Sequence, residues 1–103
     1  MRYHVYIMAS DIYRAIYIGV TNDVARRVAE HRENIGSKHV TKYNIYKLVY
    51  VTSFDDIDEA ITHEKKLKRW KRAWKDALIE ESNPGWHDIS LSLIHISEPT
   101  RPY

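Results

Sequence analysis

No cysteine occurs among the 103 residues, which removes disulfides, cysteine-ligated zinc and thiol nucleophiles together and fits a reducing compartment. No apolar stretch is long enough to cross a membrane, and Met1-Arg2-Tyr3-His4 leads straight into strand-like residues without the apolar core of a signal peptide. A cytoplasmic protein with no membrane partner is expected. Internal repeats and low-complexity tracts are missing, and the length leaves no room for a second domain that recognises sequence. Any specificity has to come from this unit or from a protein partner. Phenylalanine occurs once, so the aromatic content rests on eight Tyr and three Trp. With 44% hydrophobic and 29% charged residues, the balance is that of a globular domain rather than a disordered chain.

The net charge of +2 hides a segregation: His63 to Lys75 carries seven cations, Lys65, Lys66, Lys68, Arg69, Lys71, Arg72 and Lys75, against the single Glu64. The bland account of such a stripe is a solvated helix face. Interleaved with Trp70 and Trp74, it is equally a candidate surface for nucleic acid, although a small domain needs the buried area of its Trp side chains and their packing is the expectation.

Tyr3 to Met8 alternates, with Val5 and Ile7 on one face and Tyr6 and Met8 on the other, and Ile16 to Val20 repeats the pattern with Tyr17 and Gly19 opposite the aliphatics. Ser10-Asp11 between them suggests a hairpin that lacks the Asn-Gly or Asp-Gly signature. Antiparallel pairing places Tyr6 and Tyr17 side by side on one face. Thr21-Asn22-Asp23 offers N-cap chemistry for a helix from about Asp23 to Asn34, with Val24, Val28, His31 and Ile35 on its apolar side and Gly36 ending it. A polar loop over Lys38 to Asn44 precedes a third strand from about Ile45 to Thr52. Ser53-x-x-Asp56 resembles a capping box ahead of a second helix with Ile57, Ala60, Ile61 and Leu67 on one face. Helical spacing continues through Trp74, Ala77 and Leu78 on a rotated face, which predicts a break near Trp70, and Asn83-Pro84-Gly85 ends it.

These elements describe an α+β domain over residues 1–90, a three-stranded antiparallel sheet flanked by about three helices. Residues 91–103 have no partner pattern, resemble the translation of a sequencing adapter, and are read as an unstructured, non-native tail.

Two polar residues stand in apolar slots. His31 projects between Val24, Val28 and Ile35, with Arg27 one turn earlier at the edge of that face, and Glu64 falls between Ala60 and Ile61 on the second helix. An unpartnered buried carboxylate costs several kcal/mol or is protonated, so Glu64 requires compensation by a metal ion or by Arg27. A lone His in such a place is ordinarily a hydrogen-bonded core residue. Tyr6 and Tyr17 taken singly are ordinary strand aromatics. The convergence of all of these on one polar patch is what marks a site.

Val5-Tyr6 and Tyr17-Ile18-Gly19, with ten residues between the tyrosines, resemble the two halves of the GIY-YIG nuclease motif. Asn-Asp-Val-Ala-Arg-Arg-Val-Ala-Glu-His, Asn22 to His31, is similar to that family's helix with its catalytic Arg, matched by Arg27, and His31 stands where relatives carry His or Tyr. Glu64, within His-Glu-Lys-Lys-Leu-Lys-Arg-Trp, resembles the family's sole carboxylate metal ligand. The ending from Trp74 to Trp86 is similar to that of small stand-alone bacterial members. Two positions depart: His4-Val5-Tyr6 lacks the first glycine, and Val20 stands where excision-repair relatives place a Lys.

The resemblance implies an endonuclease that hydrolyses phosphodiesters with one divalent ion, Mg²⁺ or Mn²⁺, on Glu64. DNA is the expected substrate, with structure-selective or weak sequence preference and a role in repair or recombination. In that reading Tyr6 is the general base, Tyr17 positions water or phosphate, and Arg27 neutralises the phosphate through its planar fork. A free phenol ionises near 10, so Arg27 or a neutral His31 has to favour its deprotonation. Gly19 keeps side-chain bulk off the tyrosine face, leaving space for substrate. Lys42, Lys65, Lys68, Arg69 and Arg72 are the candidate backbone contacts. The alternatives are a noncatalytic nucleic-acid-binding module of the same fold and a protein-interaction adaptor. The histidines show no zinc-site spacing.

Overall fold

The computed structural model describes residues 2–10, 15–32 and 45–90. Chain order is β1 (Tyr3–Ala9), β2 (Ile16–Thr21), α1 (Val24–Arg32), β3 (Lys47–Phe54), α2 (Ile57–Arg69) and α3 (Arg72–Ser82). The strands form one antiparallel sheet in the order β2-β1-β3. The central strand is the one with the cleanest alternation, and each of its faces is buried under helix. Val5, Ile7 and Ala9 join Ala60 and Leu67 of α2 and Ile79 of α3 in one cluster. Tyr6 and Met8 join Val24 and Val28 of α1 in another. A three-layer domain results, with α1 on one face of the sheet and α2 and α3 on the other.

A bulge where β3 passes Ile7 and Met8 turns Val49 and Tyr50 toward the same cluster, while Leu48 and Val51 face α1. Ser10 closes the hairpin from inside, its backbone N–H donating to Ala15 O at 2.9 Å and its hydroxyl accepting from Ala15 N at 2.9 Å. The expected turn at Asp11, the expected last residues of the first helix, the expected polar loop with Lys42, and the expected tail 91–103 fall outside the described residues.

The break near Trp70 is present: α2 ends there, Trp70 and Lys71 are extended, and α3 restarts at Arg72. Lys75 Nζ donates to Lys68 O at 3.3 Å, bringing a cation to the carbonyl end of α2. Two expectations at α2 are corrected. Asp56 is itself the N-cap, accepting from Asp58 N, while Ser53 hydrogen-bonds His4 Nδ1 at 2.8 Å. Ile57 is exposed because it begins the helix beyond the sheet's cover, which leaves Ala60 and Leu67 as the buried positions. Past α3, Asn83 holds the chain: its amide donates to Val49 O (3.2 Å) and His87 O (2.8 Å), and its carbonyl accepts from His87 N (3.0 Å). Within that clip Trp86 adopts a positive φ of 54° and packs, fully buried, into the main cluster.

Candidate active site

Pairing of β1 with β2 puts Tyr6 opposite Gly19 and Met8 opposite Tyr17. The phenol of Tyr6 lies across Gly19: a Cβ there would stand 2.6 Å from the hydroxyl oxygen and 2.7 Å from Cζ. The space that Gly19 leaves is thus taken by the Tyr6 ring in this structure, not left open for substrate. Tyr17 lies diagonally from it, with ring centroids 6.2 Å apart.

Helix α1 lowers its polar residues onto these rings. Its start is fixed locally: the Asp23 carboxylate accepts from Arg26 N at 3.1 Å, and Thr21 Oγ1 accepts from Asp23 N at 3.0 Å. Val24 and Val28 then face the sheet, and His31, two turns on from Val24, falls between the tyrosines. Its ring is 5.8 Å from that of Tyr6 and 5.0 Å from that of Tyr17, both edge-on. Its Nε2 is 3.3 Å from the Tyr6 hydroxyl. Arg27, at the edge of the helix, pairs with Glu30 at 2.7 Å and acts on the same phenol electrostatically.

The protonation pattern follows from burial. Tyr6 has no exposed surface, and burial raises its pKa against the opposing pull of the Arg27 guanidinium, while Tyr17 pushes the same way as burial. This corrects the expectation that its neighbours lower the phenol's pKa: Arg27 acts in that direction and desolvation outweighs it. Burial and then Arg27 lower the pKa of His31, against the carboxylate of Glu30, so the imidazole is neutral at pH 7. Contact with the Tyr6 phenol, ahead of Glu30, raises the pKa of Arg27 and holds it cationic. With His31 neutral, the tautomer that carries its proton on Nδ1 leaves Nε2 free to accept the phenol's proton. His31 Nδ1 is buried and has no hydrogen-bond partner among the described residues.

Glu64 lies on α2, in the layer on the other side of the sheet. Its side chain is 17% exposed and its carboxylate pairs with Lys68 Nζ at 3.2 Å. The expected compensation by Arg27 is therefore corrected: Lys68, one turn along the same helix, partners Glu64, and Glu30 partners Arg27. Among the described residues no three His, Cys, Asp or Glu side chains gather where they could hold a metal ion. Of the candidate backbone contacts, Lys65 and Arg69 are exposed on α2, and Arg72 pairs with Asp76 at 2.7 Å.

The profile of the GIY-YIG catalytic domain matches residues 2–77. The chain belongs to the GIY-YIG family. It is 40% identical over 78 residues to a UPF0213 protein of Halobacterium salinarum, covering 75% of this chain and 99% of that one. A UPF0213 protein of Streptococcus pneumoniae is 38% identical over 66 residues, 64% of this chain and 67% of its own. The solution NMR structure of a UPF0213 protein from Bacillus halodurans superposes with a TM-score of 0.55 at 27% identity, covering 85% of this chain and 93% of that one. This is thus a small α+β domain of nuclease type, a class whose substrate is nucleic acid.

Four of the five positions expected of a GIY-YIG site, Tyr6, Tyr17, Arg27 and His31, are grouped around one phenol; the fifth, Glu64, is on α2 and pairs with Lys68. Val20 faces the other way, packed against the α2 side of the sheet, so its substitution for Lys leaves the tyrosine face unchanged. The sequence reading missed Glu30. Its signal was present, an acid three residues after Arg27 on one helix.

Proposed function

We propose that this GIY-YIG domain is an endonuclease that hydrolyses phosphodiester bonds, with DNA as substrate and selectivity for structure rather than extended sequence. The observation that carries the reading is the set of contacts around Tyr6, a buried phenol held between a permanently charged guanidinium and a neutral imidazole. That arrangement supplies a cation for the nonbridging oxygens and a route for a proton from Tyr6 to His31.

The donor chemistry of Glu64 suits Mg²⁺ or Mn²⁺, since an anionic oxygen is the ligand such hard ions take. With one carboxylate, the ion would be held by Glu64 together with water and phosphate oxygens rather than by a protein cage. When bound it would neutralise charge on the leaving oxygen. The chain's own groups act beside it. Arg27 releases Glu30 and takes the phosphate, which opens the covered phenol; Tyr17, partly exposed, orients the attacking water; and Tyr6 accepts the water's proton as its own passes to His31.

A second reading, a noncatalytic nucleic-acid-binding module, is favoured by the complete burial of Tyr6 and by the ion pair that occupies Glu64. Labelled single-stranded, duplex, flapped and branched DNA and RNA, incubated with the full chain in Mg²⁺, in Mn²⁺ or in EDTA, separate the two. Metal-dependent cutting of DNA, concentrated on particular shapes, is expected. Binding without cutting of any member establishes the module instead. Selectivity that emerges only with a protein from cell extract would assign specificity to a partner.

A further inference from the structure

The contact between α2 and α3 is not the dry aromatic packing that a small domain's need for buried area suggests. Trp70 packs against the main core, but Trp74 is 55% exposed. The two rings meet edge to face, 6.0 Å apart, at the head of an open groove of about 390 Å³ completed by Ala77, Leu78 and Glu81. Two ammonium groups lie over the rings, Lys66 Nζ 5.7 Å from the Trp70 centroid and Lys71 Nζ 6.0 Å from that of Trp74. They belong to the stripe that places seven cations between Lys65 and Lys75.

An apolar peptide would fill such a groove as readily as a base would, but it would leave the flanking ammonium groups without counter-charges. An occupant with flat aromatic faces and one negative charge per unit satisfies both features, and that is a single-stranded nucleic acid. We infer that the Trp70–Trp74 groove is a stacking platform for unpaired bases, with Lys66 and Lys71 at its rim meeting the adjoining phosphates. The inference rests on the nucleic-acid reading above and narrows it. A duplex hides its base faces, so the platform favours substrates with an unpaired stretch, such as flaps, forks and frayed ends. Glu81 sets the polarity of the groove, since its carboxylate repels phosphate from the end away from the lysines.

The test is binding in EDTA of the full chain to a labelled oligothymidylate, to an abasic deoxyribose-phosphate strand of the same length, and to a duplex. Parent, Trp74→Ala, Trp74→Phe and Glu64→Ala chains are compared. Trp74→Ala should weaken oligothymidylate binding roughly five- to hundredfold, as loss of one stacked base does, and leave abasic-strand and duplex binding within twofold of the parent. Trp74→Phe, which keeps a ring, should recover part of the loss, and oligothymidylate should quench the parent's tryptophan emission. Because Trp74 is largely exposed, the Ala variant should keep the parent's circular dichroism. Equal affinity of parent and Trp74→Ala for oligothymidylate, or an equal loss on the abasic strand, overturns the inference and leaves the groove to a protein partner. Quenching and stacking loss in a chain that cuts nothing would remove the nuclease reading alone. Cutting by a chain indifferent to Trp74→Ala would remove the stacking platform alone.

Discussion

Gly19 faces Tyr6 across the β1–β2 ladder, and the missing Cβ is what allows the phenol to lie against the strand: an added carbon would sit 2.6 Å from its oxygen. The glycine therefore places a side chain rather than making a turn. Gly19→Ala should displace the Tyr6 ring and cost about 1–3 kcal/mol, as overpacked cores do. Urea denaturation reads the stability, and cleavage well below the melting transition should fall by more than the unfolded fraction explains. An Ala variant as stable and as active as the parent would mean that Tyr6 does not need its present position.

A phenol whose pKa is raised by burial is a scarce base at neutral pH. Passing its own proton to a neutral His31 removes that restriction, so the cleavage rate in saturating Mg²⁺ should rise only as His31 loses its proton and should be flat from about pH 7 to 9. A rate still climbing about tenfold per unit from pH 7 to 9 would show that the phenolate itself is required and that His31 does not relay the proton.

Glu30 competes with phosphate for Arg27, at 2.7 Å, in a pair whose two side chains are each 31% exposed. Exposed pairs contribute little, typically under about 1 kcal/mol, so Glu30→Gln should leave stability nearly unchanged. It should also tighten binding of nucleic acid by a few-fold, since the guanidinium no longer has to be won from a carboxylate. Weaker binding by Glu30→Gln would show that Glu30 orients Arg27 for substrate instead of restraining it.

His31 binds a proton less readily in the fold than in the unfolded chain, because burial and then Arg27 disfavour the imidazolium. Its contribution to stability is complete above the ordinary imidazole value near 6.5 and is lost as pH falls below that toward the lowered folded value. The pKa values of His4 and His63 are lowered too, both chiefly by burial, and act with the same sign. Urea midpoints should therefore drop between about pH 7.5 and pH 5, and His31→Gln should flatten part of that slope. A slope unchanged by His31→Gln would show that His31 does not carry it.

Much of this was legible in the chain. Strand alternation assigned Tyr6, Tyr17 and Gly19 to one face, and helical spacing put Arg27 and His31 over them, because both periods are local properties of the backbone. Illegible were the quantities set by three-dimensional neighbours. Which cation Glu64 would take depended on the distance between α1 and α2, and the i,i+4 Lys68 won over Arg27. The net shift of the Tyr6 pKa depended on how completely α1 covers the ring. Trp74 read as packed because composition demanded buried area, yet Trp86 supplies that area. The reason Trp86 can do so is Asn83, whose three hydrogen bonds shape the turn; Asn83→Ala should cost on the order of 2–3 kcal/mol in urea denaturation. A loss under about 0.5 kcal/mol would show that the turn holds without it.

The central claim is that Tyr6 and Glu64, in different layers of the fold, serve one phosphodiester. Single-turnover cleavage by parent, Tyr6→Phe and Glu64→Ala chains in Mg²⁺ tests it most directly, alongside binding of the uncut substrate in EDTA. Cleavage should fall at least about a hundredfold in each variant, the scale on which a positioned base or metal ligand acts, while binding stays within a few-fold of the parent. Parent-like cutting by Glu64→Ala or by Tyr6→Phe would contradict the account.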